Sequence, residues 1–166
     1  MNIYTKGGDK GTTDLIRTKN VSKSDDRIQL VGTIDELTSH LGLLKTMLTD
    51  QDTIGILEEI QETLITVMAG VADPFNREYK ISDEKTELLE GEIDRMEALF
   101  DRPKKFILPG TCKLSAQMDV ARTVARRAER ALAAVSVKFG ADTGTKKYMN
   151  RLADYLYVLA RYTDAR

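Results

Sequence analysis

Apolar residues recur at three- and four-residue spacing through five stretches of the chain, the period of a helix with one buried face. The first runs from about Ile28 to Leu48, with Leu30, Ile34, Leu37, Leu41, Leu44 and Leu48 on one side. The second runs from about Thr53 to Ala72 and stops before Asp73-Pro74. The third, about Ser82 to Phe100, carries Leu89, Ile93, Met96 and Phe100, with Ser82 as N-cap and Pro103 beyond its end. The fourth, about Lys113 to Phe139, places Ala121, Val124, Ala125, Ala128, Ala131, Leu132 and Val135 on one face and stops at Gly140. The fifth spans about Lys146 to Tyr162. Proline occurs only at Pro74, Pro103 and Pro109, so two long tracts are free to run as helices. Amphipathic helices joined by short turns bury their stripes against each other, which predicts an all-α, five-helix, up-and-down bundle. Strand signals are weak. The expected layout is a single domain over 1–166, with a glycine-rich segment over 1–24 and the bundle over 25–166.

Composition narrows the function. The 166 residues are 42% apolar and 31% charged, a globular composition for one domain. The 25 Lys and Arg residues nearly balance 26 Asp and Glu, so the whole-molecule field favours neither nucleic acid nor an anionic membrane. Any anion must be held by a local cluster. Cys112 and His40 are the single cysteine and histidine, which excludes an intrachain disulfide, a Cys-rich zinc site and a two-histidine metal site. A di-iron bundle is excluded as well, because the position three before His40 is Leu37 rather than Glu. His40 reads as an ordinary, partly exposed side chain and Cys112 as a small packing residue at the start of helix four. The N-terminus has no apolar core followed by a cleavage site, and no membrane span is visible, so a cytoplasmic protein is expected.

Four places concentrate possible chemistry. Tyr4-Thr5-Lys6-Gly7-Gly8-Asp9-Lys10-Gly11-Thr12-Thr13 has the glycines, lysines and hydroxyls of a phosphate cradle, yet it is no Walker A loop, because lysine precedes the last glycine and no helix follows directly. Alone it reads equally as a glycine-rich tail. In the stretch Ala121 to Arg130, Arg122, Arg126, Glu129 and Arg130 fall on one arc of the fourth helix, either as a solvated face or as a comb of guanidinium groups for phosphate. Asn150, Asp154, Tyr157 and Arg161 form a polar line on the fifth helix. That line is either open to solvent or turned toward Arg126 and Glu129 to close a polar pocket. Pro103-Lys104-Lys105-Phe106-Ile107-Leu108-Pro109-Gly110 either plugs the end of the core or presents Phe106 as a platform for a flat hydrophobic ligand.

The N-terminal Tyr-Thr-Lys-x-Gly-Asp-Lys-Gly-x-Thr, Val31-Gly32-Thr33-Ile34-Asp35-Glu36-Leu37, Phe106-Ile107-Leu108-Pro109-Gly110, Arg126-Arg127-Ala128-Glu129-Arg130 and Asn150-Arg151-Leu152-x-Asp154-Tyr155-Leu156 resemble, in order and over nearly the whole chain, the PduO-type ATP:corrinoid adenosyltransferases. The resemblance implies a ferritin-like five-helix bundle that forms a homotrimer with active sites at subunit interfaces. It implies transfer of the 5′-deoxyadenosyl group of ATP to the cobalt of cob(I)alamin, giving adenosylcobalamin and triphosphate. By position, Thr5, Lys6, Gly7, Gly8, Thr12 and Thr13 would wrap the triphosphate, with Lys23 as a further contact. Arg126, Arg127, Glu129, Arg130 and Asn150 would complete the nucleotide site. Asp35 and Arg122 match an ion pair that bridges subunits beside the corrinoid, and Phe106 matches the aromatic on the lower axial side of cobalt. The family's Leu-Pro-Gly-Gly is here Leu108-Pro109-Gly110-Thr111. Mg²⁺ is expected with the triphosphate, without a dedicated protein metal site, and a cobalamin reductase and an acceptor enzyme are implied as partners. Cobalt(I) is itself a strong nucleophile and triphosphate a good leaving group, so the protein need only position and neutralise. The competing class is a non-catalytic ATP-binding helical scaffold or sensor.

Overall fold

The computed structural model describes residues 3–4 and 6–166. Five helices make up the body: α1 Asp26–Met47, α2 Gln51–Ala72, α3 Asp83–Glu97, α4 Lys113–Phe139 and α5 Thr143–Asp164. α4 packs against both α1 and α5, while α2 lies on the far side of α1 and α3 on the far side of α5. Side chains join α3 to α2, where Lys85 Nζ meets Glu59 Oε1 at 3.1 Å. The predicted bundle is therefore the observed one.

Helix boundaries follow from caps. Asp25 accepts from the Arg27 N–H at 2.9 Å and Asp50 from the Thr53 N–H at 3.2 Å, starting α1 and α2. The Arg27 guanidinium holds the Asp25 carboxyl below the ordinary carboxylate range. α5 starts three residues before the sequence pattern indicates, because Asp142 caps it by accepting from the Thr145 N–H at 3.1 Å. Asp142 also accepts from the Ile81 N–H at 3.3 Å, tying the start of α5 to the approach of α3. α4 stops at Gly140, whose φ of 85° suits glycine.

The core is the set of stripes read from the sequence. Leu30, Ile34, Leu37, Leu41 and Leu44 of α1 are buried with Leu57, Ile60, Leu64 and Val67 of α2. Ala121, Ala125, Ala128 and Leu132 of α4 face Met149, Leu152, Leu156 and Leu159 of α5 within the same core. Leu48 lies beyond the end of α1, and Ala131 and Phe100 are half-buried at the edge.

Before the bundle, residues 12–13 and 21–22 form a short antiparallel ladder, β1 and β2, pairing Thr12 with Ser22 and Thr13 with Val21. The weak strand signal concealed it. Gly7–Lys10 is a single 3-10 turn, with Lys6 in the left-handed region at φ 59°. Leu15 and Val21 pack on Ala72 and Ile28, a small cluster separate from the main core that fastens this segment to α1 and α2.

This packing has two measurable consequences. A Cβ on Gly144 would lie 2.0 Å from the Ile81 carbonyl oxygen, so Gly144→Ala must push α5 off the α3 approach. Thermal unfolding should report a loss of about 1 to 3 kcal/mol, the usual cost of overpacking; an unchanged midpoint would show that this contact yields freely. Leu15→Ala should loosen the ladder without loosening the bundle. Hydrogen exchange at the Lys23 amide, which donates to the Gly11 carbonyl at 2.9 Å, should quicken by about tenfold while the core amides of α4 keep their rates.

Candidate active site

The predicted site residues sort into two groups on either side of α4. A step of one residue turns a helix by about 100°, so neighbours in sequence leave on different faces. Arg127 turns toward α1, where it pairs with Glu36. Around that pair lies an open groove of about 780 Å³ lined by Thr13, Lys23, Gln29, Thr33, Glu36 and Arg127. The N-terminal segment borders this groove through its ladder. Gly8 lies so near Lys23 that a Cβ there would sit 3.0 Å from the ammonium nitrogen, so the glycine lets the Lys23 side chain approach the 3-10 turn. Gly7, Gly8, Thr12, Thr13 and Lys23 are thus gathered at one end of the α1–α4 seam. Thr5 lies outside the described residues.

On the other side, Arg122 and Arg126 turn toward α5. They line a cavity of about 720 Å³ with Lys104, Phe106, Tyr157 and Arg161. The polar line of α5 does face the arginines of α4, and the bond from Asn150 Nδ2 to Glu129 Oε1 at 2.9 Å closes one end of the arrangement. Arg126 and Arg130 are exposed and carry no ion pair or hydrogen bond among the described residues. Unpaired guanidinium groups along one helix repel each other, and a polyanion laid across them would relieve the repulsion.

The Pro-bracketed loop does not plug the end of the core. Phe106 is fully exposed at 105% and Leu108 is exposed at 90%, so neither plugs the core. Gly110 adopts φ 107°, the conformation that needs glycine, whereas Thr111 is not among the residues of positive φ. Threonine in place of the family's second glycine therefore adds no backbone strain. Cys112 departs from expectation. It is exposed and acts as the N-cap of α4, its sulfur accepting from the Ser115 N–H at 3.4 Å. Hydrogen bonding with the Ser115 side chain and with its backbone N–H holds the thiol below the ordinary value.

Asp35 and Arg122 do not meet within the chain. Asp35 is exposed on α1, while Arg122 donates through Nε to Asp119 Oδ1 at 2.8 Å. Arg161, the last residue of the polar line on α5, is only 3% exposed and donates to Asp119 Oδ2 at 2.6 Å. Asp119 and Glu36 are the polar residues that sequence reasoning assigned no role. Asp119 stands three residues before Arg122, a helical pairing distance, and that spacing was its one signal. His40, as expected, is half-buried and structural, with Nδ1 at 2.8 Å from Gln117 Nε2. No three His, Cys, Asp or Glu side chains cluster to hold a metal ion among the described residues. No helix among them is long and apolar enough to cross a membrane.

Known proteins share this arrangement. The corrinoid adenosyltransferase PduO of Salmonella typhimurium is 39% identical over 169 residues, covering 99% of this chain and 50% of that protein. The chain therefore spans about half the length of that relative. The corrinoid adenosyltransferase of Bacillus subtilis is 38% identical, with 100% of this chain and 88% of that protein covered. A variant of the PduO-type ATP:corrinoid adenosyltransferase of Lactobacillus reuteri, complexed with cobalamin and ATP, superposes with a TM-score of 0.91 at 35% identity, covering 99% of this chain and 94% of that one. A second variant of that enzyme, complexed with ATP, gives 0.90 at 36% identity, covering 98% and 94%. The pattern of the cobalamin adenosyltransferase family matches residues 3–163, and the chain belongs to that family.

Proposed function

We propose that this chain transfers the 5′-deoxyadenosyl group of ATP to the cobalt of cob(I)alamin, forming adenosylcobalamin and releasing triphosphate. The observation that carries the reading is the cavity at the α4–α5 seam, where a fully exposed phenyl ring stands beside a row of guanidinium groups. An apolar ring left in water is costly unless a ligand covers it, and a corrinoid offers a flat face of matching kind. Arg126 in the same cavity, with Glu129, Arg130 and Asn150 beside it, supplies charge and hydrogen bonds for the nucleotide.

Thr5, Lys6, Gly7, Gly8, Thr12, Thr13 and Lys23 would take the triphosphate together with Arg127, which exchanges Glu36 for phosphate. Triphosphate brings Mg²⁺ with it. With no three-residue acidic or histidine cluster among the described residues, phosphate and water oxygens would supply most of its ligands. The two groups of site residues leave opposite sides of α4, so a site that uses both draws on two copies of the chain. Asp35, exposed and without a side-chain partner among the described residues, would then meet Arg122 of a neighbouring copy. Both features support a homotrimer with sites between subunits. A reductase that supplies cobalt(I) and an enzyme that accepts adenosylcobalamin complete the reading, which places the protein in the reducing cytoplasm.

The test is incubation with ATP, Mg²⁺ and chemically reduced cobalamin while the cobalt absorption spectrum is followed. ATP-dependent formation of a photolabile alkylcobalamin is expected; ATP binding without it would leave a non-catalytic scaffold or sensor. Arg126→Ala and Asn150→Ala should each weaken kcat/KM for ATP by about 1.5 to 3 kcal/mol, the range for hydrogen bonds to charged groups, with the bundle still folded. Normal kinetics in both would place the nucleotide elsewhere. Phe106→Ala should bind MgATP normally yet lose turnover most severely when cobalt(II) must be reduced on the protein, because an apolar ring on the lower face excludes water and the cobalamin's own base from the metal. A four-coordinate cobalt(II) signal by electron paramagnetic resonance in that variant, with MgATP present, would remove Phe106 from this role.

A further inference from the structure

A buried charge network lies behind the cavity at the α4–α5 seam. Asp119, 3% exposed, holds two arginines at once: Arg122 Nε on Oδ1 at 2.8 Å and a terminal nitrogen of Arg161 on Oδ2 at 2.6 Å. The Arg161 guanidinium also meets Asp164 at 3.0 Å and lies 5.5 Å from the centre of the Tyr157 ring. Two positive and two negative groups are thus balanced, with Asp119 and Arg161 both buried. Apolar residues of the same volume generally stabilise such a position as well or better, so stability alone does not explain the network. Its geometry does. Arg122 and Arg161 both reach the cavity that contains Phe106. Arg122 is held by its Nε alone, and its two terminal nitrogens carry no bond among the described residues. One side of the planar fork is fixed from behind while the other stays free to bind.

We propose that Asp119 is a positioning residue for the corrinoid step: its carboxylate fixes the Arg122 guanidinium in advance, with the terminal nitrogens directed at the anionic partner they meet beside the corrinoid. This rests on the reading of the α4–α5 cavity as the corrinoid site. A long side chain ordered before binding loses less freedom when its partner arrives, and that is the contribution assigned to Asp119. Asp119 itself touches neither substrate.

Steady-state kinetics with chemically reduced cobalamin and MgATP test this on Asp119→Asn, Arg122→Ala, Arg122→Lys and the Asp119→Asn/Arg122→Ala pair. Asp119→Asn should raise KM for cobalamin by about tenfold, within the range of coupling between contacting charged residues, and leave KM for ATP unchanged. In the Arg122→Ala background the same substitution should change nothing further. Arg122→Lys leaves the buried Asp119–Arg161 pair in place and keeps the charge but lacks the Nε–H, so it should reproduce the Asp119→Asn defect even where Asp119→Asn itself folds poorly. Equal effects of Asp119→Asn with and without Arg122, or wild-type KM for cobalamin in Arg122→Lys, would overturn the proposal. Wild-type KM for cobalamin in Arg122→Ala would instead remove the corrinoid from this cavity, and the proposal with it.

Discussion

Everything in this molecule hangs on the small side chains of α4. Ala121, Ala125 and Ala128 are fully buried, and with Val124, Leu132 and Val135 they allow one helix to lie against α1 and α5 together. Larger residues on that stripe would force the neighbours apart, since interiors pack as densely as organic crystals and have no slack to absorb added volume. The remaining faces of α4 therefore open onto two seams rather than one. Arg122 and Arg126 emerge at one of them and Arg127 at the other.

That arrangement explains why a run as plain as Ala121 to Arg130 serves two places. Arg126 and Arg127 are adjacent in sequence, yet one reaches the cavity beside Phe106 and the other pairs with Glu36 at the α1 groove. Rigid helical geometry does the sorting, with no loop to order. Counter-charges are distributed unevenly as a result. Arg122 and Arg127 are paired within the chain, while Arg126 and Arg130 have no ion pair among the described residues.

How far the sequence discloses this depends on whether a feature is local. The stripes of α1 and α4 are readable because periodicity depends only on the helix itself. The end of α4 at Gly140 is readable for the same reason. Apolar spacing carries α3 three residues too far, to Phe100, although the helix stops at Glu97. Features requiring two distant segments are not legible. Spacing alone leaves Arg161 either open to solvent or turned toward α4 until Asp119, forty-two positions earlier, is placed against it. Cys112 fails in the opposite sense, since the usual burial of cysteine outweighs a cap geometry set by Ser115 just three residues on. For the Pro-bracketed loop, the sequence offers two readings, and the exposure of Phe106 removes the core plug. The family resemblance rests on motif order, which survives such local errors.

On the reading proposed above, the chemistry asks little of the side chains beyond what this scaffold can hold. A metal that is already a strong nucleophile and a leaving group that is already good remove the need for a histidine base or a covalent cysteine. The lone histidine is engaged with Gln117, and the lone cysteine caps a helix. What would remain on that reading is electrostatic and steric work, in which a polyanion and a flat hydrophobic molecule are brought together. Charged groups do this best when their orientation is set before the substrates arrive. The helix fixes where Arg122 and Arg126 emerge, Asp119 holds the Arg122 guanidinium as well, and Phe106 stands exposed on the adjoining loop. On the proposed reading the guanidinium groups would serve the polyanion and the exposed ring the flat hydrophobic molecule, so the division between helix and loop would follow from the two substrates' different demands.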